Sequence, residues 1–123
     1  MEHQEPVVHE ISRDELVHKM HSGDRFILVD VLSHEHFQRV HLPGAINVPL
    51  NPLRDLAPQL LGKQDQIIVY CANFDCTASP TAAKILTQLG FENVLDYAGG
   101  ILDWEEGGMP VVRGQEPPQQ RAA

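Results

Sequence analysis

Two cysteines, Cys71 and Cys76, are the residues of this chain whose type and spacing point most directly to chemistry. A thiolate is a strong nucleophile that forms covalent S–S species, so a reactive cysteine can accept a sulfur atom and pass it on. The alternative is that both side chains are small buried hydrophobic residues. The sequence around each cysteine decides between these interpretations.

The segment around Cys71 indicates a reactive position. Residues 66–70 predict a buried strand that ends just before Cys71, and Ser79-Pro80 predicts the N-cap and first residue of a helix. Open parallel sheets bind ligands at the carboxyl edge of their strands, and helix N-termini favour anions. We therefore expect Cys71 to be the nucleophile, with a lowered pKa. We expect backbone N–H groups of the following loop to surround the transferred sulfur. Besides Cys76, this loop comprises Ala72, Asn73, Phe74, Asp75, Thr77, Ala78 and Ser79.

Three roles are open for Cys76, which follows Cys71 by five positions. It could resolve a persulfide on Cys71 through an internal disulfide, carry the sulfur itself, or be inert. Its distance in sequence from the end of the predicted strand makes it the second choice as nucleophile.

Two other groups of residues have side chains that could act at the same sheet edge. Asp30 ends a predicted strand and would either support the site or, as we favour, hold the following loop through backbone N–H groups. His34, His36 and His41 lie close together in the sequence. Because they match no recognised zinc spacing, we predict no metal site and no cofactor.

The elements that must position these residues alternate along the chain. Short apolar runs and helical patterns follow one another, which is typical of an α/β domain. We predict an open parallel sheet of about five strands with helices on both faces. The strands are expected at 7–11, 26–31, 45–48, 66–70 and 93–97, and the helices at 12–23, 34–39, 52–61, 79–90 and 101–106. Residues 7–113 are expected to form this domain, between a flexible lead (1–6) and a flexible tail (114–123).

Composition limits the partners and the compartment. The 123 residues are 42% hydrophobic and carry a formal net charge of −8, which argues against nucleic-acid and anionic-membrane partners. No apolar run approaches the roughly 20 residues that a membrane span needs. The polar N-terminus lacks the pattern of a secretory signal, so the expected location is a reducing cytoplasm.

Three motifs within residues 8–112 occur in the order and at the spacing that are typical of one protein family. The first comprises residues 28–31, Glu35, Phe37 and 41–47 (His-Leu-Pro-Gly-Ala-Ile-Asn). The second is Val69-Tyr70-Cys71, and the third comprises 89–91, 93–94, 97, 99–101, Trp104 and 109–111. Together they resemble the single-domain rhodaneses, a family of sulfurtransferases.

The resemblance implies a rhodanese fold, Cys71 as catalytic nucleophile, and no cofactor. A sulfane sulfur would move from a donor (thiosulfate, a persulfide or a polysulfide) through a Cys71 persulfide to cyanide, a thiol or a protein acceptor. The family's loop has a cysteine, four residues, and then Arg-Ser opening the helix. Here no Arg or Lys lies between Cys71 and Pro80. If Ser79 is the helix-opening serine, the loop is two residues longer than in the family. The missing cation favours a persulfide or polysulfide over doubly charged thiosulfate.

Two further functions come from the same resemblance. Related phosphatases and arsenate reductases have a cysteine, five residues and an arginine, and the missing arginine argues against their chemistry. A non-catalytic redox-sensing or binding module would use a Cys71–Cys76 disulfide. Such a module would oxidise reversibly without taking up sulfur.

Overall fold

The computed structural model describes residues 6–114, which alternate between helices and parallel strands. In chain order these elements are α1 (Arg13–Ser22), β1 (Ile27–Asp30), α2 (His34–Arg39), β2 (Ile46–Asn47), α3 (Leu50–Leu60), β3 (Gln66–Tyr70), α4 (Ala78–Gln88), β4 (Asn93–Tyr97) and α5 (Gly100–Glu106). The predicted lead at 1–6 and tail at 114–123 lie, apart from Pro6 and Gly114, outside the described residues. The domain boundaries therefore stay a prediction.

The sheet confirms the predicted α/β class but has four strands instead of five, in the order β2-β1-β3-β4. The expected strand at 7–11 forms only an isolated parallel bridge between Glu10 and Asp96. Asp96 N–H donates to His9 O at 2.9 Å, and Ile11 N–H donates to Asp96 O at 3.0 Å. Toward the C-terminus the pairing ends because Ser12 already caps the next helix.

The two faces of the central strand β3 define two cores, which confirms helices on both faces. Ile67 and Val69 point to one core, together with Cys71, while Ile68 and Tyr70 point to the other. The first core is closed by α3 and α4 and the second by α1, α2 and α5. The helix residues that close them are Leu53, Ala57, Ala82, Ala83 and Leu86 in the first core, and Leu16, Phe37, Ile101 and Trp104 in the second.

The beginning of α1 follows the predicted capping box. Ser12 Oγ accepts a hydrogen bond from Glu15 N–H at 3.1 Å, and Glu15 Oε1 accepts one from Ser12 N–H at 2.9 Å. These two bonds satisfy donors that the first helical turn leaves unpaired. The box also fixes where the bridging segment turns away from Asp96.

The beginning of α4 differs from the prediction. Thr77 occupies the N-cap position and α4 begins at Ala78, so Ser79 lies inside the first turn. Pro80 is then the third helical residue, where the missing N–H would still have no partner within the helix. The Ser79 N–H, which has no carbonyl acceptor within the first helical turn, donates to the Cys71 sulfur.

Within residues 6–114, no helix combines the length and apolar character needed to cross a membrane.

Candidate active site in the Cys71–Cys76 loop

Cys71 lies where β3 ends and is only 1% exposed. Its Sγ accepts a hydrogen bond from Ser79 N–H in the first turn of α4 at 3.3 Å. Its S–H lies 3.6 Å from the carbonyl oxygen of Cys76 and donates to it. The strand and the helix N-terminus therefore fix this sulfur from two sides, as the sequence predicts.

The loop after Cys71 bends back through a turn at Asn73. Asn73 Oδ1 accepts Asp75 N–H at 3.0 Å, and Asn73 O accepts Cys76 N–H at 3.1 Å. Phe74, at the tip of this turn, is 70% exposed. Of the other predicted loop residues, Asp75 and Thr77 are exposed, Ala72 and Ala78 are partly exposed, and Ser79 is buried. The turn returns Cys76 to the vicinity of Cys71.

Cys76 is partly exposed, and its sulfur is the one that backbone donors surround. Burial raises its pKa, but hydrogen bonds from Ala72 N–H, from the Cys71 side chain and from Ala78 N–H outweigh burial, so the net pKa is lowered. The expected backbone cradle from Ala72 and Ala78 therefore forms around Cys76.

The lowered pKa expected for Cys71 is wrong. Burial raises the pKa of Cys71 to about 11, the adjacent Cys76 side chain raises it further, and hydrogen bonding from Ser79 only partly opposes this. The reason is that the strand carries the Cys71 sulfur beneath the loop, where one backbone N–H reaches it. The helix N-terminus favours an anion there less than burial disfavours it.

We expect iodoacetamide to alkylate Cys76 more than tenfold faster than Cys71 at pH 7.5. Cys76 is more exposed, and its lowered pKa increases its thiolate fraction, which is the form that reacts. Peptide mass mapping over a time course measures both rates. Faster alkylation of Cys71 than of Cys76, repeated in Cys76→Ser, would contradict this order.

Counted from Cys71 to the N-cap of α4, the loop has the length of the family pattern, because Thr77 and not Ser79 is the N-cap. Because Thr77 is the N-cap of α4, it is the residue that opens the helix, and Cys76 precedes it. Cys71, four residues, and then Cys76-Thr77 reproduce the pattern of cysteine, four residues and Arg-Ser. Cys76 therefore stands where that pattern has the arginine.

The beginning of α5 supports the loop from beneath. Ile101 N–H donates to Cys71 O at 3.1 Å, and Leu102 N–H donates to Ala72 O at 2.9 Å. Gly100 has a φ of +63°, and a Cβ there would come to 2.8 Å from the Ala72 carbonyl carbon. The sequence predicted a tight turn at Gly99-Gly100 but not its packing against the cysteine loop.

Asp30 lies at the carboxyl edge of the sheet but not beside the thiols. It is paired with Tyr70, on the face opposite to Val69 and Cys71. Its Oδ1 accepts Leu32 N–H at 2.9 Å, and burial raises its pKa. This geometry is the loop-holding role that the sequence favoured.

The three histidines that lie close together in the sequence have different surroundings in the structure. His41 is buried, its Nδ1 lies 2.8 Å from Phe37 O, and its ring stacks on Phe37 with a centroid distance of 3.7 Å. His34 is exposed at the first position of α2. Among residues 6–114, no three His, Cys, Asp or Glu residues are grouped so that they could hold a metal ion.

Asp96, which sequence reasoning missed, is a buried carboxyl near the loop. It is 1% exposed, is paired with Val69, and lies close enough to Cys76 to raise the pKa of that thiol. Burial raises the pKa of Asp96 to about 6, the neighbouring Ser79 side chain lowers it, and Glu10 raises it. The signal in the sequence was an acidic residue in an otherwise apolar stretch of β4.

We expect Asp96→Asn to raise the melting temperature at pH 7.5 and to have a smaller effect at pH 4. A carboxyl whose folded pKa is raised binds its proton more tightly in the folded state, so its contribution to stability falls as the pH rises from about 4 to about 6. The amide is neutral throughout and removes that dependence. Melting curves of both proteins between pH 4 and 8 measure the difference. A difference in melting temperature that does not change with pH would contradict this assignment.

A cleft of ≈ 450 Å³ lies beside the loop, between Phe74, Tyr97, Gly99 and the beginning of α1. Four of its lining residues are acidic: Glu10, Asp14, Glu15 and Asp103. Arg13 also lines the cleft, and its Nη1 is paired with Asp103 Oδ1 at 3.0 Å. The approach to the loop from this side is therefore acidic.

Known proteins are similar to this chain in sequence and in fold. The rhodanese-like domain family model matches residues 12–107. An HTH-type transcriptional regulator of Mycobacterium tuberculosis is 39% identical over 104 residues, which are 85% of this chain and 45% of the regulator. The thiosulfate sulfurtransferase PspE of Escherichia coli is 36% identical over 87 residues, which are 70% of this chain and 78% of PspE. The crystal structure of the BH2092 protein from Bacillus halodurans has a TM-score of 0.80 and 28% identity, covering 93% of this chain and 88% of that one.

The chain spans half or less of the length of several curated relatives, including the regulator. With the motifs, the parallel sheet and the family match in agreement, this chain belongs to the rhodanese-like domain family.

Proposed function

We propose that this protein is a sulfurtransferase that carries a sulfane sulfur as a persulfide on Cys71. The observation that supports this most is the position of the Cys71 sulfur, at the carboxyl end of β3 with Ser79 N–H donating to it at 3.3 Å. A thiol held at a helix N-terminus has a donor ready to stabilise the negative charge that develops on sulfur during transfer.

The reaction has two displacement steps. The Cys71 thiolate attacks the sulfane sulfur of the donor, a new S–S bond forms to Cys71, and the remainder of the donor leaves with the electron pair of the broken bond. A nucleophilic acceptor, either cyanide, a small thiol or a protein thiol, then attacks the outer sulfur and Cys71 leaves as thiolate. Because burial raises the pKa of Cys71, only a small fraction of this thiol is ionised at neutral pH.

The charges around the loop favour a persulfide or polysulfide as donor. Residues 71–80 include no Arg or Lys, and Asp75 is exposed within them. The adjoining cleft is also acidic, which disfavours a dianion such as thiosulfate more than a singly charged donor.

The test is the intact mass of the reduced protein after incubation with sodium polysulfide and, separately, with thiosulfate. We expect Cys76→Ser to gain one sulfur atom, to lose it again to cyanide, and to gain it from polysulfide more readily than from thiosulfate. Cys71→Ser is the matched control, and sulfur that its more exposed Cys76 takes up should pass to cyanide more slowly, because only Cys71 Sγ has the Ser79 N–H donor. Sulfur uptake that persists in Cys71→Ser and disappears in Cys76→Ser would overturn Cys71 as the carrier. No uptake in any variant would overturn the sulfurtransferase.

The proximity of the two thiols favours a second candidate, a redox-responsive module. The Cys71 and Cys76 side chains interact directly, and burial of Cys71 restricts donor access. Because one relative is an HTH-type transcriptional regulator, a disulfide could serve as a signal in this context. This candidate requires a reversible loss of two hydrogen atoms with a disulfide oxidant and no sulfur uptake in any variant.

A further inference from the structure

We propose that Cys76 resolves the Cys71 persulfide, so that the loop releases the bound sulfur as hydrosulfide and closes a Cys71–Cys76 disulfide. This inference depends on the proposed function, because Cys71 must first be loaded with sulfur. It adds a reductive activity to simple transfer: the sulfane sulfur becomes sulfide while the two thiols are oxidised.

The geometry of the loop brings the two sulfurs together. The turn in which Cys76 N–H donates to Asn73 O at 3.1 Å directs the chain back toward the end of β3. The Cys71 sulfur lies 3.6 Å from the Cys76 carbonyl oxygen, and the two side chains lie close enough for each to shift the pKa of the other. Both side chains also pack on the same apolar core.

The backbone between the two cysteines is free of regular structure, which permits the bond to form. Residues 72–77 belong to neither β3 nor α4, so a small shift of Cys76 breaks no strand or helix hydrogen bond. Cys71 is anchored by β3 and by α5, whereas Cys76 is held by the turn and by the N–H groups of Ala72 and Ala78, none of which belongs to a strand. Cys76 is therefore the sulfur that moves.

The two thiols have complementary properties for this step. Cys76 is partly exposed and its pKa is lowered, so it supplies the attacking thiolate. Cys71 is buried with a raised pKa, which makes it a poor leaving group. Attack on the outer sulfur would expel Cys71, whereas attack on the inner sulfur expels hydrosulfide. The second course is favoured.

The step balances without a further reactant. The Cys76 thiolate attacks the inner sulfur of Cys71–S–SH, the Cys71–Cys76 S–S bond forms, and the bond to the outer sulfur breaks. Its electron pair leaves on HS⁻. Two equivalents of a low-molecular-weight thiol then reduce the disulfide and return the loop to its dithiol form.

The test compares the wild-type chain with Cys76→Ser and Cys71→Ser. Each reduced protein receives the same limited amount of sodium polysulfide, is desalted without reductant, and is measured by intact mass, while released sulfide is trapped by alkylation. We expect the wild type to lose the mass of two hydrogen atoms and to release one more sulfide per chain than Cys76→Ser. We expect Cys76→Ser to keep one additional sulfur atom.

The outcomes separate this inference from the proposed function. A wild-type chain that retains its additional sulfur like Cys76→Ser, without a disulfide or excess sulfide, would overturn the resolving role and leave the sulfurtransferase intact. Uptake in Cys71→Ser but not in Cys76→Ser would reverse the roles of the two thiols and overturn it as well. No uptake by either Cys76→Ser or Cys71→Ser would mean that the proposed function itself has failed.

Discussion

Replacing Cys76 with arginine is expected to raise kcat/KM for thiosulfate about 10- to 100-fold. Cys76 occupies the loop position that carries arginine in the family pattern, directly before the N-cap Thr77. A guanidinium at this position would add a charge-assisted hydrogen bond to a dianionic donor, worth about 1.5–3 kcal/mol. Since each 1.4 kcal/mol changes a rate about tenfold, that gain corresponds to the expected range. Sulfite or thiocyanate formation from thiosulfate and cyanide measures it.

Two matched variants show whether the gain comes from the cation. Cys76→Ser removes the thiol, and with it the resolving step, without adding charge, so the ratio of the Cys76→Arg rate to the Cys76→Ser rate isolates the effect of the cation. Cys76→Lys adds a point charge without the planar fork and should give a smaller gain than Cys76→Arg. An equal increase in all three variants would show that loss of the thiol, not gain of the cation, is responsible.

Gly100→Ala is expected to lower the free energy of unfolding by about 2–4 kcal/mol and to abolish sulfur uptake. A Cβ at this position would clash with backbone atoms of Cys71, Ala72 and Asn73, the last at 2.9 Å. These backbone atoms cannot move aside as the end of a flexible side chain can. The clash therefore costs about 1–3 kcal/mol of folding free energy, in addition to the strain of a left-handed φ. The displaced α5 would no longer cover the Cys71 and Ala72 carbonyls. Urea unfolding and persulfide loading measure the two effects.

Gly108→Ala separates conformational strain from the clash. Gly108 also has a left-handed φ, +75°, but a Cβ there would meet nothing within 4 Å. Its replacement should lower the free energy of unfolding by about 1 kcal/mol and leave sulfur loading unchanged. Equal losses of stability in the two alanine variants, with sulfur loading kept in both, would contradict the prediction. The close approach of Gly100 to the cysteine loop would then not be needed for sulfur uptake.

Local patterns in the sequence predicted most of the fold. The capping box at Ser12 placed α1, and the apolar runs at 66–70 and 93–97 gave β3 and β4 with the bounds that the structure has. These signals succeed because they depend on neighbouring residues and on burial of both sheet faces. The segment at 7–11 failed since its pairing depends on Asp96, a partner far along the chain.

The site was predictable in position but not in its electrostatics. That Cys71 follows a buried strand could be inferred from its neighbours, yet its burial by the returning loop could not, so the direction of its pKa shift was wrong. Ser79 resembled an N-cap because the serine-proline pair is a local signal. Its actual role, donating N–H to Cys71 Sγ, depends on where the strand places that sulfur.

Asp96 and Gly100 lie near the cysteines through contacts between residues that are distant in the sequence. Neither residue has a local signature that connects it to the cysteines, since each reaches them only through the order of strands and the packing of α5. Asp96 lies near Cys76 because β4 pairs with β3 in parallel register.

The hydrogen bonds from Ile101 and Leu102 to the carbonyls of Cys71 and Ala72 also set an order of events during synthesis. The cysteine loop leaves the ribosome before the residues that cover it, because synthesis proceeds from the N-terminus. Until α5 has emerged and docked, both thiols belong to an unfinished chain that is open to oxidants and alkylating agents. A nascent chain halted before Gly100 therefore exposes Cys71, which the complete fold buries, and maturation of the chain coincides with the masking of that thiol.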